Sequence, residues 1–269
     1  MNHHLQRWIT GIVSAPLLII FIWYSSEQLF SLFIFVVIQI AVWEYNCLAF
    51  AKEGFTWEKG EVLVFAGVIA ISAYISDYIM ITFVLTFCLL LSFFVFLFKI
   101  RDQAIDMSKV EKVVLGFMYM PLLMSSFIFL RHLPNGVRWV SFALVLAFCG
   151  DVFGYYTGKT IGKRKLLAAV SPGKTVEGTI GLMCGSLLGG IIFQQVIFTE
   201  LPLIHALIMG AFGGILGQLG DLFESAMKRS AGVKDAGFIF PGHGGILDRL
   251  DSLSFIAPFV FYYQHFIIK

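Results

Sequence analysis

Three clusters of charged, hydroxyl and glycine residues interrupt an otherwise apolar sequence. They occupy residues 151–159, 171–178 and 220–251, and each contains at least one basic residue and one carboxylate. Carboxylates bind divalent cations, whereas cationic side chains and backbone N–H groups bind phosphate oxygens. This mixture of residue types therefore indicates a site for a polyphosphate that binds together with a metal ion.

The second cluster, residues 171–178, places a proline, two glycines and hydroxyl side chains immediately before a predicted helix. The free N–H groups at such a helix start can bind an anion. Residues 173–175 match the end of a phosphate-binding loop, but no glycine lies five residues earlier and no strand is predicted before them, so we reject that interpretation. An ordinary helix N-cap at Ser171 or Thr175, with Glu177 complementing the helix dipole, remains an alternative.

The third cluster carries charges on two predicted helices. Asp221, Ser225 and Lys228 recur at i, i+4 and i+7, so they form one stripe on a helix face. Asp248 and Asp251 also share a face. Solvated charges at a membrane edge would explain the basic residues, but they would not explain two carboxylates that flank a glycine-rich loop. We therefore expect these carboxylates to take part in the site.

The loop between those two helices contains Gly242, Gly244 and Gly245 around His243. Residues without side chains let a ligand approach the backbone closely, as a loop over a nucleotide requires. The loop is therefore predicted to contact the bound ligand.

Composition places these clusters in a membrane protein. Hydrophobic residues make up 58% of the chain and charged residues 13%, with a mean hydropathy of +0.86. Soluble proteins average about 45–50% apolar and about 25% charged residues. The net charge of +2 does not indicate nucleic-acid binding.

Apolar segments predict an all-α polytopic membrane bundle of about nine transmembrane helices. Spans 1–5, within residues 1–135, are rich in Leu and Phe, whereas spans 6–9, within residues 136–269, carry the three clusters. Glycines at short intervals in spans 7 and 8 predict close packing of those two helices. The predicted spans are 9–24, 29–50, 62–76, 79–98, 113–130, 138–157, 179–198, 203–223 and 253–268.

The distribution of basic residues predicts the orientation of the bundle. Of the 19 Lys and Arg residues, all but Arg131, Arg138 and Lys269 fall on one side of the predicted membrane. By the positive-inside rule that side is cytoplasmic, together with the N-terminus. All three clusters fall on this side, so we expect them to converge.

The motifs within these clusters are similar to those of a known family. The third cluster resembles the signature of the phosphatidate cytidylyltransferase family, and the other two resemble further family motifs in the same order. One departure is Val176, where the family usually has Trp. The similarity covers roughly residues 148–255. In the third cluster the matching pattern is Ser225-x-Met227-Lys228-Arg229, Lys234-Asp235, Gly237, Pro241-x-His243-Gly244-Gly245 and Asp248-Arg249-x-Asp251.

The resemblance implies an enzyme that joins CTP to phosphatidic acid and releases CDP-diacylglycerol and pyrophosphate. It implies that Asp221 and Asp248 bind Mg²⁺ in a site for two cations, the second monovalent or divalent. Asp251 is then a third ligand or a residue that orients one. The active site is expected on the cytoplasmic side of a bacterial inner membrane.

The resemblance also implies roles for the other polar residues of the clusters. His243 is interpreted either as a general acid toward pyrophosphate or as a residue that shapes its loop. Asp151 orients a lysine, binds the second cation or is a simple helix-end carboxylate. Lys228 and Arg229 are predicted to be catalytic. The remaining predicted substrate-binding residues are Ser171, Lys174, Thr175, Glu177, Ser225, Lys234, Asp235, Gly244, Gly245 and Arg249.

Two classes of alternative remain open. A CTP-dependent polyprenol kinase or an ether-lipid cytidylyltransferase would share the membrane spans and the nucleotide. A transporter would also bury ionisable residues, but these should lie near the bilayer midplane and in repeated halves. The predicted partners are CTP, phosphatidic acid and the bilayer, and a homodimer remains open. Glu44, a lone carboxylate in span 2, is interpreted as paired within the bundle rather than catalytic.

Overall fold

Long apolar segments of the chain form α-helices, because every backbone polar group must be paired inside a bilayer. The computed structural model describes residues 16–50, 54–75, 78–100, 105–237 and 244–269. A two-stranded antiparallel hairpin is the only sheet in this described part. The elements are α1 (16–24), α2 (Glu27–Ala49), α3 (Trp57–Ile75), α4 (Tyr78–Lys99), α5 (Ser108–Met118), α6 (Met120–His132), α7 (Gly136–Ile161), β1 (Lys165–Leu167), β2 (Ser171–Thr175), α8 (Val176–Val196), α9 (Leu203–Ser230) and α10 (Leu247–Tyr263), which ends in a π-helical turn, Gln264–Ile268.

Six helical segments of the described chain are long and apolar enough to cross a bilayer. The chain is therefore an all-α polytopic membrane protein. Every predicted span overlaps a helix, although the start of the first span lies outside the described residues. The six segments are Glu27–Ala49, Ile79–Lys99, Ser108–His132, Gly136–Ile161, Val176–Val196 and Leu203–Ser230.

The predicted span 113–130 is interrupted at Tyr119, whose backbone leaves the helical region between α5 and α6. Pro121 follows in the first turn of α6, where its missing N–H costs no helical hydrogen bond. Because both pieces together cover Ser108–His132, they still make one segment of membrane-spanning length.

Helix starts follow from local side-chain chemistry. Ser26 accepts a hydrogen bond from the Leu29 N–H at 3.2 Å and caps α2. Thr175 accepts one from the Gly178 N–H at 3.1 Å and caps α8, as the alternative interpretation of the second cluster predicted. β2 therefore leads directly into α8, and the strand contradicts the expectation that no strand lies there.

Glycines let helices α7, α8 and α9 pack at backbone distance. An added Cβ at Gly185 of α8 would lie 2.6 Å from the Cys149 carbonyl oxygen of α7. One at Gly214 of α9 would lie 2.9 Å from the Met183 Cα of α8. Predicted spans 7 and 8 correspond to α8 and α9. Gly214 of α9 makes the predicted contact between these two helices, whereas Gly185 of α8 faces α7. Together these contacts position the helices that carry the clusters.

The hydrophobic core joins both halves of the chain. Fully buried residues include Ile38 of α2, Phe142 of α7 and Ile256 of α10, all in one continuous apolar cluster. By contrast, large side chains of α4 such as Phe83 and Leu90 are exposed. An exposed apolar helix face of this kind matches lipid rather than water.

Candidate active site

A cavity of about 470 Å³ lies among α7, β2, α8 and α9. It is where residues of all three clusters meet. The first cluster contributes Asp151 and Lys159, the second contributes Lys174, and the third contributes Asp221. Ser171 and Thr175 also line the cavity, and so do Gly154, Tyr155, Gly158, Gly173, Gly178, Thr179, Leu182 and Gln218.

The β-hairpin brings Lys174 to the cavity. β1 and β2 pair antiparallel, with Lys165 opposite Thr175 and Leu167 opposite Ser171. The Lys165 ammonium donates to the Pro172 carbonyl oxygen at 2.7 Å and ties the strands together. As a result, the Lys174 ammonium forms an ion pair with the Asp221 carboxylate of α9.

Glu177 supports the hairpin instead of lining the cavity. Its Oε2 accepts hydrogen bonds from the backbone N–H groups of Lys163 at 3.0 Å and Arg164 at 3.1 Å. Its Oε1 accepts from Arg164 Nε at 2.9 Å. The structure therefore assigns Glu177 to holding the connection between α7 and β1, and it does not bring this predicted substrate-binding residue into the cavity lining.

Lys228 links Glu224 of its own helix, α9, to Asp248 of α10. Its ammonium lies 2.5 Å from Glu224 Oε2 and 2.6 Å from Asp248 Oδ1. Glu224 is completely buried, so its charge depends on this lysine. Sequence reasoning missed Glu224, although its i, i+4 spacing to Lys228 was a usable signal.

Asp248 binds both ends of the glycine-rich loop, which comprises residues 236–245. Its Oδ2 accepts hydrogen bonds from the backbone N–H groups of Ala236 at 2.9 Å and Gly245 at 2.8 Å. Gly244 has φ of +79°, and an added Cβ there would lie 2.6 Å from Asp248 Oδ2. Glycine is thus required at position 244. Residue His243 and its prediction lie outside the described residues.

The predicted metal ligands fall into two groups. Asp151, Asp221 and Asp251 are close enough to interact electrostatically, and Lys174 lies among them. Asp248 instead pairs with Lys228 and not with Lys174. Asp221 therefore pairs with Lys174, and Asp248 pairs with Lys228.

The oxygen donors of these carboxylates suit Mg²⁺, which prefers hard oxygen ligands. In the described part of the chain, however, no three acidic, His or Cys side chains are already gathered as a metal site. Two amide N–H groups occupy Oδ2 of Asp248, and the Lys228 ammonium contacts its Oδ1, so Oδ1 is the oxygen that would bind a cation, beside that lysine. The carboxylate oxygens of Asp221 and Asp248 therefore fit Mg²⁺ as ligands. Lys174 lies against the first of these carboxylates and Lys228 against the second.

The other predicted residues lie around these groups. Ser225 donates to Asp221 Oδ1 at 3.4 Å, so it supports that carboxylate. Arg229 donates through Nε to the Val170 carbonyl at 3.1 Å and through Nη1 to the Val233 carbonyl at 3.3 Å, so it ties α9 to the hairpin. Three further predicted residues are exposed near the site: Lys234, Asp235 and Arg249.

Gln218 is a cavity residue that sequence reasoning missed. It lies one turn before Asp221, and its Oε1 accepts a hydrogen bond from the Thr179 hydroxyl at 3.2 Å. That bond orients the amide, so Nε2 is its donor end. Gln218 is only 6% exposed, and Nε2 has no hydrogen-bond partner among the described residues. Its position three residues before Asp221 in the same helix was the available signal.

Comparison with known proteins identifies related sequences. The sequence model described as the cytidylyltransferase family matches residues 5–267. A phosphatidate cytidylyltransferase of Bacillus subtilis strain 168 is 43% identical over 151 residues, which are 56% of this chain and 56% of that relative. One of Staphylococcus epidermidis is 38% identical over 161 residues, covering 60% of this chain and 58% of the relative.

An uncharacterized protein of Escherichia coli K12, YnbB, is 43% identical over 132 residues, covering 49% of this chain and 44% of that protein. The matched stretches thus span less than two thirds of the length of these three relatives.

Proposed function

The chain belongs to the cytidylyltransferase family, and from this premise we propose that it is a phosphatidate cytidylyltransferase. It would transfer CMP from CTP to phosphatidic acid and form CDP-diacylglycerol and pyrophosphate for phospholipid synthesis. The observation that carries this proposal is the cavity in which Lys174 of the hairpin pairs with Asp221 of α9. Relatives that carry the name of this activity add support.

The proposed reaction does not need a strong general base. A phosphate oxygen of phosphatidic acid attacks the α-phosphorus of CTP, and the bond from that phosphorus to the bridging oxygen breaks as pyrophosphate leaves. Because the nucleophile is already anionic, the protein mainly has to position the two anions and neutralise their charge. Lys174 and Lys159 line the cavity and supply that positive charge. Lys228 supplies it beside Asp248.

We propose that Mg²⁺ binds to Asp221 and Asp248, with Asp251 as a third ligand or an orienting residue. A second monovalent or divalent cation belongs to the same proposal. The bound cation would supply charge neutralisation on the phosphates. The chain's own part is to hold carboxylates near the lysines, and the pairs Lys174–Asp221 and Lys228–Asp248 support this role.

The proposed orientation has the N-terminus and the active site in the cytoplasm, about nine spans, and a bacterial inner membrane as its location. The basic residues around the cavity support this placement, since positively charged loops stay cytoplasmic. Asp248 lies in the first turn of α10, whereas Asp151 and Asp221 lie within the C-terminal halves of α7 and α9, on the side of the basic hairpin. A transporter site would instead be expected near the midplane and in repeated halves of the chain.

A substrate panel tests the proposal. Purified protein in lipid-containing detergent is given CTP and Mg²⁺ with phosphatidic acid, its ether-linked analogue or a polyprenol, and both the lipid product and the released pyrophosphate are measured. We expect phosphatidic acid to give the highest kcat/KM. Turnover of the polyprenol without pyrophosphate would indicate a kinase, and preference for the ether analogue would change the assigned lipid. Either result would contradict the proposal.

A further inference from the structure

Glu44 is a buried carboxylate of α2 that none of the charged clusters contains. It is only 3% exposed, and it lies in the N-terminal half of the chain. A charged side chain inside a membrane helix is costly unless partners compensate it. Hydrogen-bond donors must therefore compensate the Glu44 carboxylate.

The carboxylate of Glu44 caps α10 from outside that helix. Its Oε2 accepts a hydrogen bond from the Leu247 N–H at 2.7 Å, and its Oε1 accepts one from the Ile246 N–H at 3.1 Å. The first amides of a helix have no partner within the helix. A negative charge there also interacts favourably with the helix dipole. Glu44 thus fixes the start of α10 from 202 residues away in sequence.

Two glycines pack directly against the same carboxylate. An added Cβ at either Gly237 or Gly245 would overlap the carboxylate atoms of Glu44. These glycines lie at the two ends of the glycine-rich loop. Both ends of that loop therefore lie against one side chain of α2.

Glu44 and Asp248 divide the backbone amides of this region between them. Asp248 takes the N–H groups of Ala236 and Gly245 on its Oδ2. Glu44 takes those of Ile246 and Leu247. Because Glu44 holds the latter pair, Asp248 can keep its Oδ1 turned to Lys228. Without Glu44, the Ile246 and Leu247 amides would lose their acceptor directly beside Asp248 in sequence.

We propose that Glu44 is a positioning residue of the active site: it anchors the glycine-rich loop and the start of α10, so that Asp248 presents Oδ1 to the lysine and the cation. This proposal rests on the proposed cytidylyltransferase function. In this proposal Glu44 does not contact substrate, and it acts by positioning Asp248. It assigns the N-terminal half of the chain a direct part in building the site.

The variant Glu44→Gln tests the proposal, because it keeps the shape of the side chain and removes its charge. The matched control is Glu61→Gln, which neutralises a partly buried glutamate of α3 that lines a different cavity. In Glu44→Gln we expect amide exchange at Ile246 and Leu247 to quicken about tenfold or more, because bonds to a charged acceptor are lost. The control should exchange like the parent there.

Two measurements separate positioning from mere stability. In Glu44→Gln the Mg²⁺ concentration for half-maximal rate should rise at least about threefold, and kcat should fall about tenfold. The rise in melting temperature produced by added Mg²⁺ should shrink in parallel, which reports cation binding without turnover. A loss of folded protein alone would lower the rate but leave the half-saturating Mg²⁺ concentration unchanged. That unchanged concentration, or parental amide exchange, would overturn the proposal.

A second pair of variants decides the matter if Glu44→Gln does not fold. Gly237→Ala should push the Glu44 carboxylate away and lower kcat, whereas Glu44→Asp shortens the side chain by one methylene. In the double variant the shorter carboxylate has room for the new methyl group, so kcat should recover severalfold over Gly237→Ala. Simple additivity of the two losses would contradict the proposal. A parent that makes no CDP-diacylglycerol would refute the proposed function, whereas amide exchange and the Mg²⁺-induced melting shift would still test Glu44.

Discussion

Lys174 is the charged residue that the β-hairpin contributes to the cavity. Its ammonium is paired with Asp221, and Lys174 lines the cavity that we propose for CTP. Charge-assisted contacts are the strong ones in such a site. The pair therefore joins the second and third clusters in one structure.

The variant Lys174→Ala should lower kcat/KM for CTP by about ten- to a hundredfold, as expected for a lost hydrogen bond to a charged group. The KM for phosphatidic acid should change less. Lys174→Arg should recover only part of the loss, since a planar guanidinium does not replace a compact ammonium in the ion pair with Asp221. Steady-state kinetics in both substrates measure this. An unchanged kcat/KM for CTP in the alanine variant would contradict this role and would mean that the second cluster acts only as a helix cap.

Gln218 offers a second test at the same scale. Gln218→Met keeps the volume of the side chain and removes an amide donor that has no partner among the described residues. We expect kcat/KM for one of the two substrates to fall about three- to tenfold with little change in melting temperature.

Gln194→Met is the matched control for this variant. Gln194 is equally buried, and its Nε2 donates to the Leu201 carbonyl at 2.8 Å, away from the cavity. The control should lower the melting temperature and leave both KM values unchanged. If Gln218→Met instead behaves like the control, Gln218 is a packing residue and not a contact to substrate.

At the scale of elements, glycine packing between α7, α8 and α9 determines the shape of the cavity. Gly185 of α8 lies against the Cys149 carbonyl of α7, where a side chain would collide with backbone. Gly54, by contrast, has nothing within 4 Å of an added Cβ. The two positions therefore separate a packing requirement from the general cost of replacing glycine.

Gly185→Ala should lower the melting temperature clearly, since overpacking a tight contact costs about 1–3 kcal/mol. It should also lower activity, because residues of both α7 and α8 line the cavity. Gly54→Ala should leave both quantities near the parental values. Thermal unfolding in detergent and the pyrophosphate assay provide the measurements. Equal effects of the two variants would show that the helix contact is looser than described.

The sequence allowed the spans to be predicted much better than the contacts between them. Runs of about 20 apolar residues specify a membrane helix locally, so every span overlapped a helix. The β-hairpin was missed because its strands are only 3 and 5 residues long and contain Pro172 and Gly173, which disfavour strands. The contact of Glu44 with Leu247 bridges 203 residues, and no local pattern encodes such a distance.

Site residues were predictable by type but not by partner. Charges at membrane edges are costly, so Lys174, Asp221, Lys228 and Asp248 could be selected from the sequence. Which lysine meets which carboxylate depends on how α9 and α10 pack, and helical spacing gives only contacts within one helix. The assignment of Asp221 and Asp248 to a common cation therefore stays a prediction.

At the scale of the whole molecule, the orientation in the membrane can be tested by labelling. In a cysteine-free background, a cysteine at position 163 should react with an impermeant thiol reagent only from the cytoplasmic side. A cysteine placed after Lys269 should react only from outside, because an odd number of spans separates the termini. The reverse pattern would overturn the orientation. Labelling of both from one side would mean an even number of spans.

The most direct test of the central claim follows each phosphate of CTP. The purified protein is given phosphatidic acid, Mg²⁺ and CTP labelled with ³²P at either the α- or the γ-position, and lipid and aqueous products are separated. The α-label should enter the lipid fraction and the γ-label should appear only in pyrophosphate. Asp221→Asn should reduce α-label transfer at least about a hundredfold, since each 1.36 kcal/mol lost in the barrier is about tenfold. Transfer of the γ-label to lipid, or parental transfer in folded Asp221→Asn, would contradict the account.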